Sequence, residues 1–250
     1  MDPLVELTLR LGDTSLVLAH RLSEWSSQAP TLEEDVALAN VALDLLGQAR
    51  GLLGYAGEVE DARRDEDALA YLRDAHDYRN LLLVEQPNAD FAHTVLRQFF
   101  YDAQAFDRWT RLQASTDATI AGVAAKAVKE SAYHLEHSSS WVIRLGDGTA
   151  ESHQRMRAAL DALWMFTGEM FEVDEVDRVM AERGVAPLPA DLAEPWRERV
   201  AAVLTEATLP VPPADAWMQT GGRTGRHTEH LGYLLAEMQF LQRAYPGVTW

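Results

Sequence analysis

Cysteine is absent from all 250 residues, so the chain has no disulfide framework, no thiolate metal site and no cysteine nucleophile. Positive charge is scarce: 22 Lys and Arg stand against 39 Asp and Glu, a net charge of -17. Phosphate backbones must be met by clustered cations, so nucleic acid is not the expected partner. The acid excess reads as a solvated surface. No run of roughly eighteen apolar residues occurs. The opening "MDPLVELTLRLGDTSLVLAHRL" threads Asp2, Glu6, Arg10 and Asp13 through its apolar stretch, where a secretion signal would have a basic head and a pure apolar block. No membrane span and no signal are expected, and the lack of cysteine fits a cytoplasmic enzyme or subunit. Alternating β-branched strands are also nearly missing.

Long amphipathic runs fill the chain instead. With 47% hydrophobic and 24% charged residues, it can bury the core of one large domain. The spacing predicts a first helix over about 4–25, with Thr8, Leu11, Ser15, Leu18 and Leu22 on one face. Thr31 followed by Glu34 is a capping-box signature for a second helix to about Ala56, striped by Leu38, Val41, Leu45, Gln48 and Leu52. A third helix follows Pro87 and Asn88 and runs to about Leu112, turning Val95, Phe99, Asp102, Phe106 and Trp109 inward. A fourth spans about 117–145 with Ala127, Ser131, His134, Ser138 and Trp141 inside, stopped by "GDG". Further helices are predicted over 151–171, 174–183, 191–207 and 227–244, punctuated by prolines. The reading is one all-α domain over 1–250, with a four-helix core and additional C-terminal helices that cover it or form an interface.

The inner faces of those helices hold the frame of a metal site without most of its ligands. Carboxylate-bridged di-iron bundles take one Glu from each of two helices and Glu-x-x-His from each of the other two, because i and i+3 share a face. The matching positions here are Ser15, Leu45 with Gln48, Asp102, and Ser131 with His134. Only Asp102 and His134 are ordinary iron ligands, too little charge for two divalent ions. A buried Asp and His on facing helices also satisfy one another as a structural pair.

Several runs carry a specific resemblance: "LGDTSLVLAHRLSEW", "LANVALDLLGQARGLLGYAGE", "NLLLVEQPNADFAHTVLRQFFYDA", "KAVKESAYHL" and "TGGRTGRHTEHLGYLLAEMQFLQRAYPG". They resemble the PaaC-type non-catalytic subunits of bacterial phenylacetyl-CoA epoxidase, from the first helix to Trp250. The resemblance implies a ferritin-like fold, and a paralogous catalytic subunit that carries the di-iron centre. In that paralogue's register the metal-binding Glu and His of the second helix fall on Leu45 and Gln48. Those of the fourth fall on Ser131 and His134, the first-helix Glu falls on Ser15, and the third-helix carboxylate falls on Asp102. Four of the six ligand positions are thus replaced. The implied role is a structural subunit that binds no cofactor and stabilises the catalytic partner in aerobic phenylacetate catabolism. A small coupling subunit and an NADPH-dependent reductase complete the implied complex, which epoxidises the aromatic ring. The isolated chain is a candidate homodimer.

Two rivals stand beside this reading. In one, the chain is itself a di-iron oxygenase that adds Asp44 or Glu130 to Asp102 and His134, which requires a π-bulge to turn them in. In the other, the emptied core binds a small apolar ligand, although Leu45, Phe99 and Phe106 are bulky enough to fill it.

The loop "TGGRTGRHTEHLG" places Arg223, Arg226, His227 and His230 at a helix start, a candidate interface or anion contact. Its His-x-x-His spacing lacks the i, i+4 histidines of zinc-protease helices. Glu85, off the helical stripe, is assigned to capping or an interface, His137 to solvent or an interface, and Trp217 and Trp250 to contact with a partner chain.

Overall fold

The computed structural model describes residues 2–248; Trp250 lies outside them. In chain order the helices are α1 (Pro3–Ser23), α2 (Leu32–Val59), α3 (Glu66–Tyr71), α4 (Leu82–Glu85), α5 (Phe91–Leu112), α6 (Ala118–Gly146), α7 (Ala150–Leu163), α8 (Glu175–Glu182), α9 (Ala193–Glu206), α10 (Glu229–Met238) and α11 (Phe240–Ala244). The described residues contain no strand. Short polar side chains start the long helices by accepting from exposed first-turn N–H groups. Asp2 accepts from Leu4 N at 2.7 Å, just before Pro3. Thr31, Asp90 and Asp117 do the same for α2, α5 and α6.

The chain forms two compact units. Among the described residues, the first comprises 2–87 and 221–248. Its frame is the α1–α2 hairpin, with Leu18, Leu22, Leu38, Val41, Leu45 and Leu52 all buried. By length and composition α2 is apolar enough to cross a bilayer, with an 18-residue window of mean hydropathy 1.3. One face of it is buried and the other carries exposed Leu32, Val36 and Leu43.

Residues 88–220 form the second unit around the α5–α6 hairpin, with α7 and α9 packed on both helices. An aromatic cluster closes it: Trp196 donates Nε1–H to the Phe100 carbonyl at 2.9 Å and lies 5.7 Å from Trp164 and 5.1 Å from Phe171 between ring centroids. Arg199 clamps the same face by donating to both carboxylate oxygens of Asp107, at 2.8 and 3.1 Å.

The long helices fall where the apolar period places them. Phe106 and Trp141 are only half-buried, contrary to expectation. Phe106 lies under the Arg199 guanidinium and Trp141 meets Phe91 edge-on. The helix expected over 151–171 ends at Leu163 and continues as 3-10 turns through Phe171. The one expected over 227–244 is divided at Gln239. There the Gln239 amide nitrogen lies 3.0–3.1 Å from the Arg73 and Ala70 carbonyls and the Tyr78 hydroxyl, an anchorage that fixes the break.

Candidate functional site

The six positions that the resemblance sets against a di-iron ligand set are all buried. In the first unit, Ser15 of α1 and Leu45 and Gln48 of α2 supply no anionic oxygen. Ser15 Oγ has no hydrogen-bond partner among the described residues. Leu45, apolar and branched, is 1% exposed.

In the second unit α5 and α6 present Asp102, Ser131 and His134. Asp102 accepts from Gln98 Nε2 at 2.7 Å on one oxygen and from Ser138 Oγ at 2.8 Å on the other. Burial pushes its carboxyl up to about 6, and attraction to His134 and these two hydrogen bonds oppose that rise. Desolvation disfavours the charged form, and the nearby imidazole favours it. Both oxygens are therefore already engaged inside the helix pair. Gln98 is a site residue that the sequence reading misses; its i, i+4 spacing to Asp102 is the available signal.

This donor set does not fit two iron ions. One carboxylate and one imidazole fall short of the anionic oxygens such a pair requires. Asp44 and Glu130 do not repair it. Both are partly exposed, Glu130 forms an ion pair with Lys126 at 3.2 Å, and α2 and α6 run through these positions as uninterrupted α-helix, without the bulge that would turn them in. Among the described residues, Asp74, His76 and Asp77 do bring three ligand atoms within 4.8 Å, but on the surface of the first unit.

The arginine- and histidine-bearing loop of the first unit differs from its expected role. His227 is turned inward, with its side chain 4% exposed. Its Nδ1 lies 2.8 Å from Glu85 Oε2 and its Nε2 lies 3.0 Å from the Tyr78 carbonyl oxygen. Thr228 donates N–H and Oγ–H to Glu85 Oε1 at 2.6 and 2.8 Å, and Asn80 Nδ2 donates to Oε2 at 2.9 Å. Glu85 is thus fully buried with four donors around it, rather than at an interface. A carboxylate held at the start of α10 is the expected occupant of a helix N-terminus. The anion that this loop binds is the chain's own.

Arg21 ties the knot further by donating to the Glu85 carbonyl at 2.8 Å and the His230 carbonyl at 3.1 Å. Arg223 is buried, Arg226 is exposed and His230 is half-buried, so the four loop residues do not present one common face. Gly222 is required because a Cβ there would lie 2.2 Å from the Asn80 carbonyl oxygen.

A buried ion pair elsewhere in the first unit is invisible to the sequence reading. Arg73 pairs with both oxygens of Asp13, Arg79 N donates to Asp13 Oδ2 at 2.9 Å, and the Arg73 guanidinium lies 4.4 Å from the centre of the Tyr78 ring. These contacts hold the 65–80 segment against α1. Trp217, by contrast, is 70% exposed.

Residues 1–250 match the family described as phenylacetic acid catabolic protein, and the chain belongs to that family. It is 52% identical, over 100% of both chains, to a protein of Escherichia coli (strain K12) named as one of the subunits of 1,2-phenylacetyl-CoA epoxidase.

Proposed function

We propose that this chain is a ferritin-like, metal-free structural subunit of a phenylacetyl-CoA epoxidase in the cytoplasm. In this reading it pairs with a homologous catalytic subunit, which carries the di-iron centre, and stabilises it. A small coupling subunit and a reductase serve the same complex. The observation that carries the reading is the refilled ligand set: Ser15, Leu45, Gln48 and Ser131 stand at ligand positions, and Asp102 is occupied by Gln98 and Ser138. The full-length likeness to a protein named as one subunit of an epoxidase supports partner subunits.

Such a protein contributes by packing. It buries a face of the catalytic chain and holds its helices in place, so its loss should reduce the complex's activity through the partner's stability. Co-expression with the catalytic subunit tests this. The two chains should co-purify, and Asp102→Asn with His134→Gln in this chain should leave turnover of phenylacetyl-CoA intact. Abolished turnover in an intact complex would assign the chemistry to this chain.

A further inference from the structure

Both ring nitrogens of His227 face oxygens that accept. Nδ1 lies 2.8 Å from Glu85 Oε2, and Nε2 lies 3.0 Å from the Tyr78 carbonyl oxygen. A carbonyl oxygen cannot donate, so Nε2 carries a hydrogen. A carboxylate cannot donate either, and a neutral imidazole has a single N–H to offer. Only the imidazolium ion, with one hydrogen on each nitrogen, satisfies the two contacts together.

Glu85 is the ionised member of this pair. It is fully buried, and besides His227 it accepts from Asn80 Nδ2 at 2.9 Å and from Thr228 N and Oγ at 2.6 and 2.8 Å. Donors in that number favour the carboxylate over the carboxylic acid. The arginines that reach the site from α1 and the 72–80 segment each have a carboxylate of their own. Arg21 donates to the Glu85 main-chain carbonyl and pairs with Glu24 at 2.7 Å. Arg79 donates to the Tyr78 carbonyl and pairs with Glu6 at 3.3 Å, and Arg73 pairs with Asp13. His76 is exposed beside Asp77. In the loop itself Arg223 is buried and Arg226 exposed, and Glu229 and His230 begin α10. The Glu85 carboxylate is thus left to His227.

The geometry points to a proton-operated latch: the imidazolium of His227 fastens residues 221–248 to the 2–87 part of the first unit, and loss of one proton releases the start of α10. Without its hydrogen, Nδ1 turns a lone pair toward a buried carboxylate oxygen; without its own, Nε2 turns one toward the Tyr78 carbonyl. Either way an acceptor meets an acceptor away from water, which removes a bond and leaves a buried polar group unsatisfied. A freed imidazole titrates at about 6.5, so above that pH closing the latch takes up one proton. Closure is therefore strongest below about pH 6.5 and weakens as the pH rises beyond it. The fastenings further along, Gln239 on the Ala70 and Arg73 carbonyls and Arg243 on Asp74, need no such proton. The release is local to the loop and the first turn of α10.

Ring-nitrogen NMR of the full chain labelled at histidine reads the proton directly. At about pH 7.5 both nitrogens of His227, identified by their loss in His227→Gln, should carry hydrogens.

Amide hydrogen exchange of the full chain, corrected for the intrinsic pH dependence of exchange, reads the release. Protection over residues 227–233 should fall at least ~10-fold between about pH 6.5 and pH 9, while that of α2 holds. In Glu85→Gln, whose amide needs no charged partner, the same fall should shrink below ~2-fold. A ring nitrogen without hydrogen in the folded wild type at about pH 7.5, or an equal fall in Glu85→Gln, would overturn the proposal. Neither readout involves a partner subunit, so failure here leaves the structural-subunit reading standing.

Discussion

Glu85 Oε2 lies 2.8 Å from His227 Nδ1, across 142 residues of sequence. The contact fastens α4 to the entrance of α10 and makes the C-terminal segment part of the first unit's core. Replacing Glu85 by Ala strands His227, the Thr228 N–H and Asn80 in a buried site. The expected cost is about 3–5 kcal/mol, the scale for removing one partner of a buried charged contact. Urea unfolding of Glu85→Ala should show that loss, and Glu85→Gln, which keeps the shape and some acceptors, should lose less. Equal stability for wild type and Glu85→Ala would contradict this role.

The Asp13–Arg73 pair makes a separable prediction. Each single replacement by Ala should destabilise by about 3–5 kcal/mol, because the remaining charge is buried alone. The combined Asp13→Leu, Arg73→Met variant should lose much less than the two single losses added together, since residues of one network do not add. A strictly additive result in a denaturation cycle would show that the pair is not coupled.

Asp102 gives stability a pH dependence of defined sign. Its carboxyl rises from 3.8 to about 6 on folding, so between these values the folded chain keeps a proton that the unfolded chain has released. The stability this group contributes is complete below about pH 4 and is lost as pH rises through about 6, a loss of about 3 kcal/mol. Asp102→Asn removes the titration. Its stability relative to wild type should therefore climb by that amount between about pH 4 and pH 7. A flat difference in unfolding free energy across this range would refute the assignment.

Trp217 is large, apolar and 70% exposed, in a segment outside regular structure. Buried aromatic anchors dominate many interfaces. Trp217→Ala should leave the unfolding midpoint of the isolated chain within ~1 °C and weaken capture by the catalytic subunit at least ~10-fold. Unchanged capture would remove Trp217 from the interface.

The four long helices are legible in the sequence because their apolar period extends over many turns and Thr31 marks the start of α2; the structure adds Asp2, Asp90 and Asp117 as the caps of the other three. The six ligand-aligned positions are all buried, as the stripes of α1, α2, α5 and α6 indicate. The polar cores are not legible. Glu85 lies on a helix of four residues, too short for a period, and its partners His227 and Thr228 are supplied from far along the chain. Asp13 reads only as a charge interrupting an apolar run, because Arg73 is 60 residues away. The helix break at Gln239 is likewise set by distant backbone carbonyls.

The most direct test of the account is iron content. The purified chain is loaded anaerobically with excess ferrous iron, unbound metal is removed, and the iron retained per chain is measured. A chain whose ligand positions carry Ser15, Leu45, Gln48 and Ser131 should retain close to none. Stable retention of about two iron ions per chain, the complement of a carboxylate-bridged bundle site, would contradict the account and make this chain a catalytic subunit.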